Sequence, residues 1–397
     1  MTGDREPTGA RGDDDPIYLD HNATTPVDPA VVEEMLPFLR EHFGNPSSGH
    51  VYGQRAKRAV EHAREQVAAL LACHPDEITF TSGGTEANNL AIRGVIAPSS
   101  SRRHAVTSAV EHPATERPCQ LLERQGVEVT RLPVDGLGRV EVDVARPFVR
   151  GDTALVTVML AQNETGALMP IAALAGLAHE RGALIHTDAA QAVGKLPTLV
   201  DELRVDLLSI AGHKLYAPKG VGALFVRRGI QLAPILVGAG HERGLRPGTE
   251  NVASIVGLGA ACELAAADLA REPERQRTLR DLLWDALRAG IPGIRLNGHP
   301  TERLPNTLNV SFPGALGSDV LAAAPELAAS TGSACHAGGE SPSAVLTAMG
   351  LDARTALGAV RLSLGRTTTR AHVERASQAL GRAWRESRRE QGTSVQQ

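Results

Sequence analysis

This sequence predicts an α/β fold: a mainly parallel sheet sandwiched by helices, followed by a smaller α+β domain. Three observations carry that expectation. Short apolar runs alternate with helical patterns through the first part of the chain, as crossover connections between parallel strands require. A chain of 397 residues exceeds the size at which one hydrophobic core usually divides. A long helical stretch at roughly 254–289 then interrupts the alternation, and short strands and helices resume beyond it. The expected units are a disordered tail over residues 1–16, a large domain over 17–265 and a small domain over 266–397.

The polar opening MTGDREPTGARGDDDP lacks the apolar content of a core, hence the disordered tail. Asp28 and Pro29 form an N-cap and first-turn pair that opens a helix through Glu41, which Gly44 closes. The turn-rich GNPSSGH precedes an amphipathic helix from about Gln54 to Leu71. The expected strands are ITFT, AVTS, VEVTRL, ALVTVML, ALIHT, DLLSI and GALFV, several of them separated by helical patterns such as IAALAGLAHERG. The small domain should hold LPNTLNVSF as a strand, the turn-rich STGSACHAGGESPS, a helix, the strand AVRLSLG and a charged helix from about Arg370. The last residues, QGTSVQQ, should fray.

Composition excludes several classes. With 41 basic and 45 acidic residues the formal charge is −4, which offers no electrostatic footprint for nucleic acid. No apolar run approaches the roughly eighteen residues that span a bilayer, and the N-terminus lacks a signal peptide's apolar centre, so a cytoplasmic protein is expected. Cys73, Cys119, Cys262 and Cys335 are scattered without a CxxC pair, so neither a metal site nor a disulfide framework is indicated. Cys73 and Cys262 sit in alanine-rich helical patterns and read as small core residues. Cys119 follows Pro118 near a helix start and has no chemical context.

Chemistry gathers at strand ends. Lys214 follows the apolar run around Leu207 and Leu208 in DLLSIAGHK, where a buried strand gives way to a loop. Asp188 and Gln191 end and follow ALIHTDAAQ, and an acid there can pair with a protonated pyridine nitrogen. ITFTSGGTEANNLAI reads as a strand, a turn through Gly83, Gly84 and Thr85, and a helix whose free N–H groups favour an anion. Lysine, acid and anion cradle are the parts that pyridoxal phosphate requires. Cys335, in STGSACHAGG, is flanked by small residues that permit exposure and movement, and on local sequence a reactive thiol and a structural one stand level. Arg361 could fork a substrate carboxylate or be an exposed strand arginine. Asn163 could share that carboxylate or simply form a turn. His112, in SAVEHPA, could stack on a pyridine ring or be a structural histidine.

The segments YLDHNATTPVDP, FGNPSSGH, FTSGGTEANNLAI, EHPA, NETG, HTDAAQ, GHKLYAPKGVGAL, ERGLRPGTEN, GSACHAG and RLSLGRTTT, in this order, resemble the NifS/IscS group of cysteine desulfurases. These are pyridoxal-phosphate enzymes of the class V aminotransferase group with fold type I architecture, and the resemblance runs from about Ile17 to beyond Thr369. It implies that Lys214 bonds the cofactor and later removes the substrate α-proton. It implies that Asp188 holds the pyridinium, Gln191 meets the ring hydroxyl and His112 stacks on the ring. Gly84, Thr85, Ser209 and His213 would bind the phosphate, and Thr249 would complete the phosphate site of the partner subunit, which implies a homodimer. Asn163 and Arg361 would hold the substrate carboxylate. Cys335 would take sulfur from L-cysteine as a persulfide, leaving alanine, and pass it to a sulfur-acceptor protein in iron–sulfur cluster biogenesis or another thiolation route; a mobile Cys335 loop would serve that transfer.

Two departures leave a second reading. Pro247 and the segment HAGGESPS also look like selenocysteine lyases, which release selenium from L-selenocysteine on the same fold. A noncatalytic scaffold of the same fold, or another class V aminotransferase or an epimerase, are further alternatives. The intact set of Lys214, Asp188, His112 and Cys335 argues against the scaffold.

Overall fold

A computed structural model describes residues 15–97, 102–331 and 341–394. Strand β1 (Ile17–Tyr18) is followed by helices α1 (Pro29–Arg40) and α2 (Val51–Leu71). Asp28 caps α1 by accepting from the Ala30 N–H, and Pro29 takes the first turn, where no N–H is needed. Helix α2 starts at Val51, ahead of the expected Gln54, because the His50 side chain caps it by accepting from the Gly53 N–H.

Strands β2 (Ile78–Thr81), β3 (His104–Ser108), β4 (Glu128–Leu132), β5 (Thr153–Thr157), β6 (Leu184–Asp188), β7 (Leu207–Ala211) and β8 (Gly222–Val226) form one seven-stranded sheet. Its order is β2-β8-β7-β6-β5-β3-β4, and only β8 runs against its neighbours. The α/β fold with a mainly parallel, two-sided sheet is therefore as the alternation implied. Helices α3 (Gly84–Ile96) and α4 (Pro113–Arg124) cover one face through the core around Leu90, Ile92 and Leu122. A larger core on the other face includes Val67, Leu71, Ile171 and Leu258. Because β6 and β7 are buried on both faces, the polar groups at their carboxyl ends are the parts of these strands able to meet a ligand.

The long helical stretch is two helices, Val252–Asp268 and Glu272–Gly290, bent by 74° at the break. The bend carries the chain from the first core to a second one, in which Leu279, Leu283 and Leu287 pack with Val310, Leu362 and Leu380. Strands β9 (Arg295–Asn297), β10 (Thr307–Ser311) and β12 (Ala359–Ser363) make an antiparallel sheet there in the order β12-β10-β9, and β11 (Leu327–Ala328) pairs in parallel with β1.

Packing corrects the simple division at residue 265 in two places. Ile17 and Leu19 belong to the second core, while Val345, Leu346 and Met349 pack on the first. The chain thus crosses between the cores near its amino end, where β1 pairs with β11 and Leu19 bonds Ser363, and again at 345–349. Cys73 lies just beyond α2, after Ala72 in a left-handed cap, and not within a helix. The final helix runs Arg370–Ser394, so Gln391 to Ser394 are helical where fraying was expected. The tail expected to be disordered lies outside the described residues except for Asp15 and Pro16.

Candidate active site

A cavity of about 360 Å³ opens at the carboxyl ends of β5, β6 and β7 and at the amino ends of α3 and α4, and Asn22, Ala23 and Arg361 complete its wall. Lys214 enters it on the single turn Gly212–Lys214 that follows β7. Its Nζ donates to the carbonyl of Asn22 and, at 2.8 Å, to that of Ala23. Burial, helped by the Arg361 guanidinium and opposed by Asp188 and Asp20, pushes this ammonium down to about 8. A free amine is therefore accessible near pH 8, as bonding to an aldehyde requires.

Asp188 ends β6 on the same cavity. One carboxylate oxygen accepts from Asn88 Nδ2 at 2.7 Å and the other from the Ala190 N–H at 3.0 Å. Both donors are neutral, so the carboxylate is oriented without being neutralised. His112 caps α4, and its Nδ1 accepts from the Ala114 N–H at 3.1 Å. That bond assigns the ring proton of a neutral imidazole to Nε2. Burial holds the imidazole below its ordinary pKa, with Asp188 opposing and Lys214 adding to the shift.

The anion cradle is the start of α3. Gly83 takes φ 145° and ψ −178°, a conformation open essentially to glycine alone, and turns the chain from β2 into the helix. A Cβ on Gly84 would stand 3.1 Å from the Ala211 Cβ, so glycine leaves that wall clear. Thr85 is exposed at the cavity edge. His213 also lines the cavity; its Nδ1 lies 3.2 Å from Thr24 Oγ1, and burial pushes its pKa down to about 4, so the ring is neutral.

Ser209 corrects the expectation from sequence. It is fully buried within β7, its hydroxyl lies 2.9 Å from His186 Nε2, and it does not line the cavity. It sits two residues, about 6.6 Å, before the end of the strand. The residue at the cavity is Ala211, so β7 presents no hydroxyl there.

Arg361, on β12, is 5% exposed. Its Nη2 donates to Asp20 at 2.7 Å and its Nη1 to the Asn163 carbonyl at 3.1 Å. Its Nε is buried with no hydrogen-bond partner among the described residues. A buried donor left unmatched is costly, which fits a guanidinium built to receive an anionic group. Asn163 lines the cavity beside it, and Asn163 Oδ1 accepts from Gln162 Nε2 at 3.4 Å.

Cys335 lies outside the described residues. The chain on either side of it is fastened near the carboxylate-binding candidates: the backbones of Ser330 and Arg361 bond each other, and Ser343 donates to Glu164 at 2.6 Å. Thr249 is exposed and lines a separate cavity of about 810 Å³ with Asn45, Arg64 and His241, away from Lys214. Burial pushes the thiols of Cys73, Cys119 and Cys262 up to about 12, so all three stay protonated and unreactive.

Reading from sequence missed several supporting residues. Asn88 lies one turn into α3 from Gly84, and a polar residue at that spacing on a buried helical face is the signal that pointed to it. Asn22 and Asp20 belong to a motif that was recognised without roles. Glu111 opens the segment EHPA, also recognised without a role for it; burial raises its carboxyl to about 8, and it accepts from Ser108 and from the Met159 N–H. The donor set as a whole fits pyridoxal phosphate carrying an amino acid: an amine, an oriented carboxylate, a neutral imidazole, a clear helix amino end and a buried guanidinium with an unmatched N–H.

The profile of the aminotransferase class-V family matches residues 17–376. A cysteine desulfurase of Trichormus azollae is 48% identical over 366 residues, 92% of each chain. A cysteine desulfurase IscS of Dictyoglomus turgidum is 46% identical over 357 residues, 89% of this chain and 91% of the relative. Among solved structures, a NifS-like protein superposes with a TM-score of 0.87 at 36% identity, covering 92% of this chain and 98% of its own.

Proposed function

The chain belongs to the class-V aminotransferase family and is a pyridoxal-phosphate-dependent cysteine desulfurase acting on L-cysteine, and from that premise we propose how its own residues divide the work. The observation that carries the assignment of roles is the single cavity holding Lys214, Asp188, His112 and Arg361.

When bound, pyridoxal phosphate supplies an electron sink that lets the α-carbon of the substrate lose its proton and weakens the bond to sulfur. Lys214 would hold the cofactor through Nζ and, when that nitrogen is free, would take the substrate α-proton on it; its lowered pKa suits both tasks near pH 8. Asp188, oriented by Asn88, would face the ring nitrogen and hold its proton. His112 offers its ring plane and an Nε2–H. Gly84, Thr85 and His213 receive the phosphate, with the free N–H groups at the start of α3 as its main donors. Arg361 and Asn163 fix the substrate carboxylate. Cys335, as thiolate, attacks the substrate sulfur; the carbon–sulfur bond breaks, its electrons pass to the carbon skeleton that becomes alanine, and the sulfur stays on Cys335 as a persulfide. A second thiol of an acceptor protein then takes that sulfur, and iron–sulfur cluster assembly is one such use.

A homodimer supports this division. Thr249 is exposed and remote from the Lys214 cavity of its own chain, as a residue donated to a partner subunit would be. Phe43, Tyr52 and Val237, at 77%, 51% and 97% exposure, supply apolar surface that a second copy would bury. A cytoplasmic location is proposed from the reduced-thiol composition.

The test compares wild type with Cys335→Ser. With L-cysteine and no reductant, the wild type should accumulate one persulfide per chain by mass, and the variant should form neither persulfide nor alanine above about 1% of the wild-type rate. Full alanine production by Cys335→Ser would overturn the thiol's role and move the chain toward another class-V reaction.

A further inference from the structure

Gln191 lines the cavity, but its usefulness to a ligand depends on which end of its amide faces outward. The surrounding groups decide this. Lys195 Nζ lies 3.2 Å from Gln191 Oε1 and 3.0 Å from the Gln191 backbone carbonyl, and Gln191 Nε2 donates to the Asn22 carbonyl at 2.9 Å. An ammonium has only donors and a carbonyl only acceptors, so both contacts demand the same orientation of the amide. Oε1 is turned to Lys195, and Nε2 keeps a second N–H. The Asn22 carbonyl that receives Nε2 also receives Lys214, so lysine, amide, carbonyl and catalytic lysine form one chain of contacts.

The fold commits resources to this arrangement. Lys195 is 8% exposed, an expensive position for a lysine. Gly194, at φ +75°, folds the chain back so that Lys195 reaches under Gln191, and a Cβ there would strike Leu215 Cδ1 at 2.1 Å. Charged groups around the amide are Lys214 on the turn after β7, Arg361 on β12, Asp188 on β6 and Asp20 near the amino terminus. None of them explains a buried lysine whose contacts go to one glutamine. Burial, with Lys214 and Arg361 adding to it, brings the Lys195 ammonium down to about 7. The neutral amine still keeps two N–H donors, so the orientation survives its loss of a proton.

We propose that Lys195 is a positioning residue that locks the Gln191 amide as a donor toward the cavity, so that the cofactor's ring oxygen meets an N–H rather than a carbonyl. The proposal rests on the reading above that Gln191 faces that oxygen. A donor at the ring oxygen would favour its deprotonated form and would compete for that oxygen with the proton on Lys214 Nζ, the nitrogen through which the cofactor would be held. Removing the donor, and with it a nearby positive charge, strengthens the hold on that proton.

The experiment is a pH titration of the visible absorbance of the cofactor-loaded enzyme, with cofactor affinity and unfolding midpoint measured alongside. Lys195→Met should raise the absorbance midpoint by about one pH unit, a tenfold change in proton affinity, and Lys195→Arg should stay close to wild type. Gln191→Ala should raise the midpoint by itself and add little on top of Lys195→Met, because one removes what the other orients. If Met at 195 prevents folding, Lys195→Gln replaces it, since its amide both donates and accepts and leaves the Asn22 carbonyl alone to hold the orientation. A shift with Gln191→Ala but none with Lys195→Met would overturn the lock alone. No shift with Gln191→Ala would overturn the facing of Gln191 and the lock with it. A Lys195→Met variant that lowers the unfolding midpoint while leaving the absorbance titration unmoved would make Lys195 a packing residue and sink the proposal.

Discussion

Lys214 is buried in the cavity it shares with Arg361, and burial first, then the nearby guanidinium, disfavours its charged form. The folded chain therefore holds the Lys214 proton less tightly than the unfolded chain does. Protonated Lys214 costs the cofactor-free protein stability below about 8, and that cost fades between about 8 and the ordinary value of 10.5. The same shift sets a chemical expectation. The rate of cofactor uptake by cofactor-free enzyme, followed by absorbance, should rise with pH and level off near 8; levelling only above pH 10 would show that Lys214 is not perturbed. Lys214, Asp188 and His112 were legible as candidates because each follows or ends an apolar run, whereas Arg361, inside the strand AVRLSLG, was singled out mainly by the resemblance. Ser209 was misread, because sequence gives a residue's place along β7 but not which residues of that strand lie deep in the sheet and which reach its end.

At the scale of elements, the site is made by terminations. Strands β5, β6 and β7 end together, α3 and α4 begin there, and the polar groups at those ends face one space. Helix caps tie this end to the small unit. Asp28 accepts from the Ala30 N–H at 3.0 Å with one oxygen and from Arg366 at 3.0 Å with the other, and Arg366 stacks over Tyr216, two residues beyond Lys214. Asp28→Ala should lower unfolding stability by about 1–2 kcal/mol, roughly 1 from the cap and up to about 1 from a partly exposed ion pair. Denaturant titration measures it, and an unchanged midpoint with an unchanged slope would show that α1 needs neither contact. The Asp28–Pro29 cap was readable in the sequence because capping is local. The break after Asp268 carries one local signal that reading from sequence missed, Pro273 in the first turn of the second helix, while its 74° bend answers to two separate cores.

For the whole molecule, the question is how many chains make one site. If Thr249 serves the phosphate site of a partner subunit, then Lys214→Ala and Thr249→Ala damage different subunits' contributions. A mixed dimer would combine both defects in one site and leave the other intact. Mixing the two inactive or weakened variants under conditions of random subunit exchange should therefore restore up to about a quarter of the per-site activity of wild type, since at most half of the dimers are mixed and each has one intact site, read as alanine released from L-cysteine. Failure to restore activity, with exchange verified by mass, would place Thr249 outside the partner's site. The formal net charge of −4 offers no electrostatic footprint for nucleic acid.

By itself, the sequence determined the α/β class, the run of strands and the chemistry of the strand-end residues. Those are local matters: period, caps and residue type are written in neighbouring positions. Only the tertiary structure decided that Ile17 and Leu19 pack with the distant C-terminal core, that Ala211 and not Ser209 meets the cavity, and that Lys195 lies under Gln191. Those are matters of depth and of contact between segments far apart in sequence. They are set when the two cores close on each other, and no local pattern records which buried side chain ends up against which.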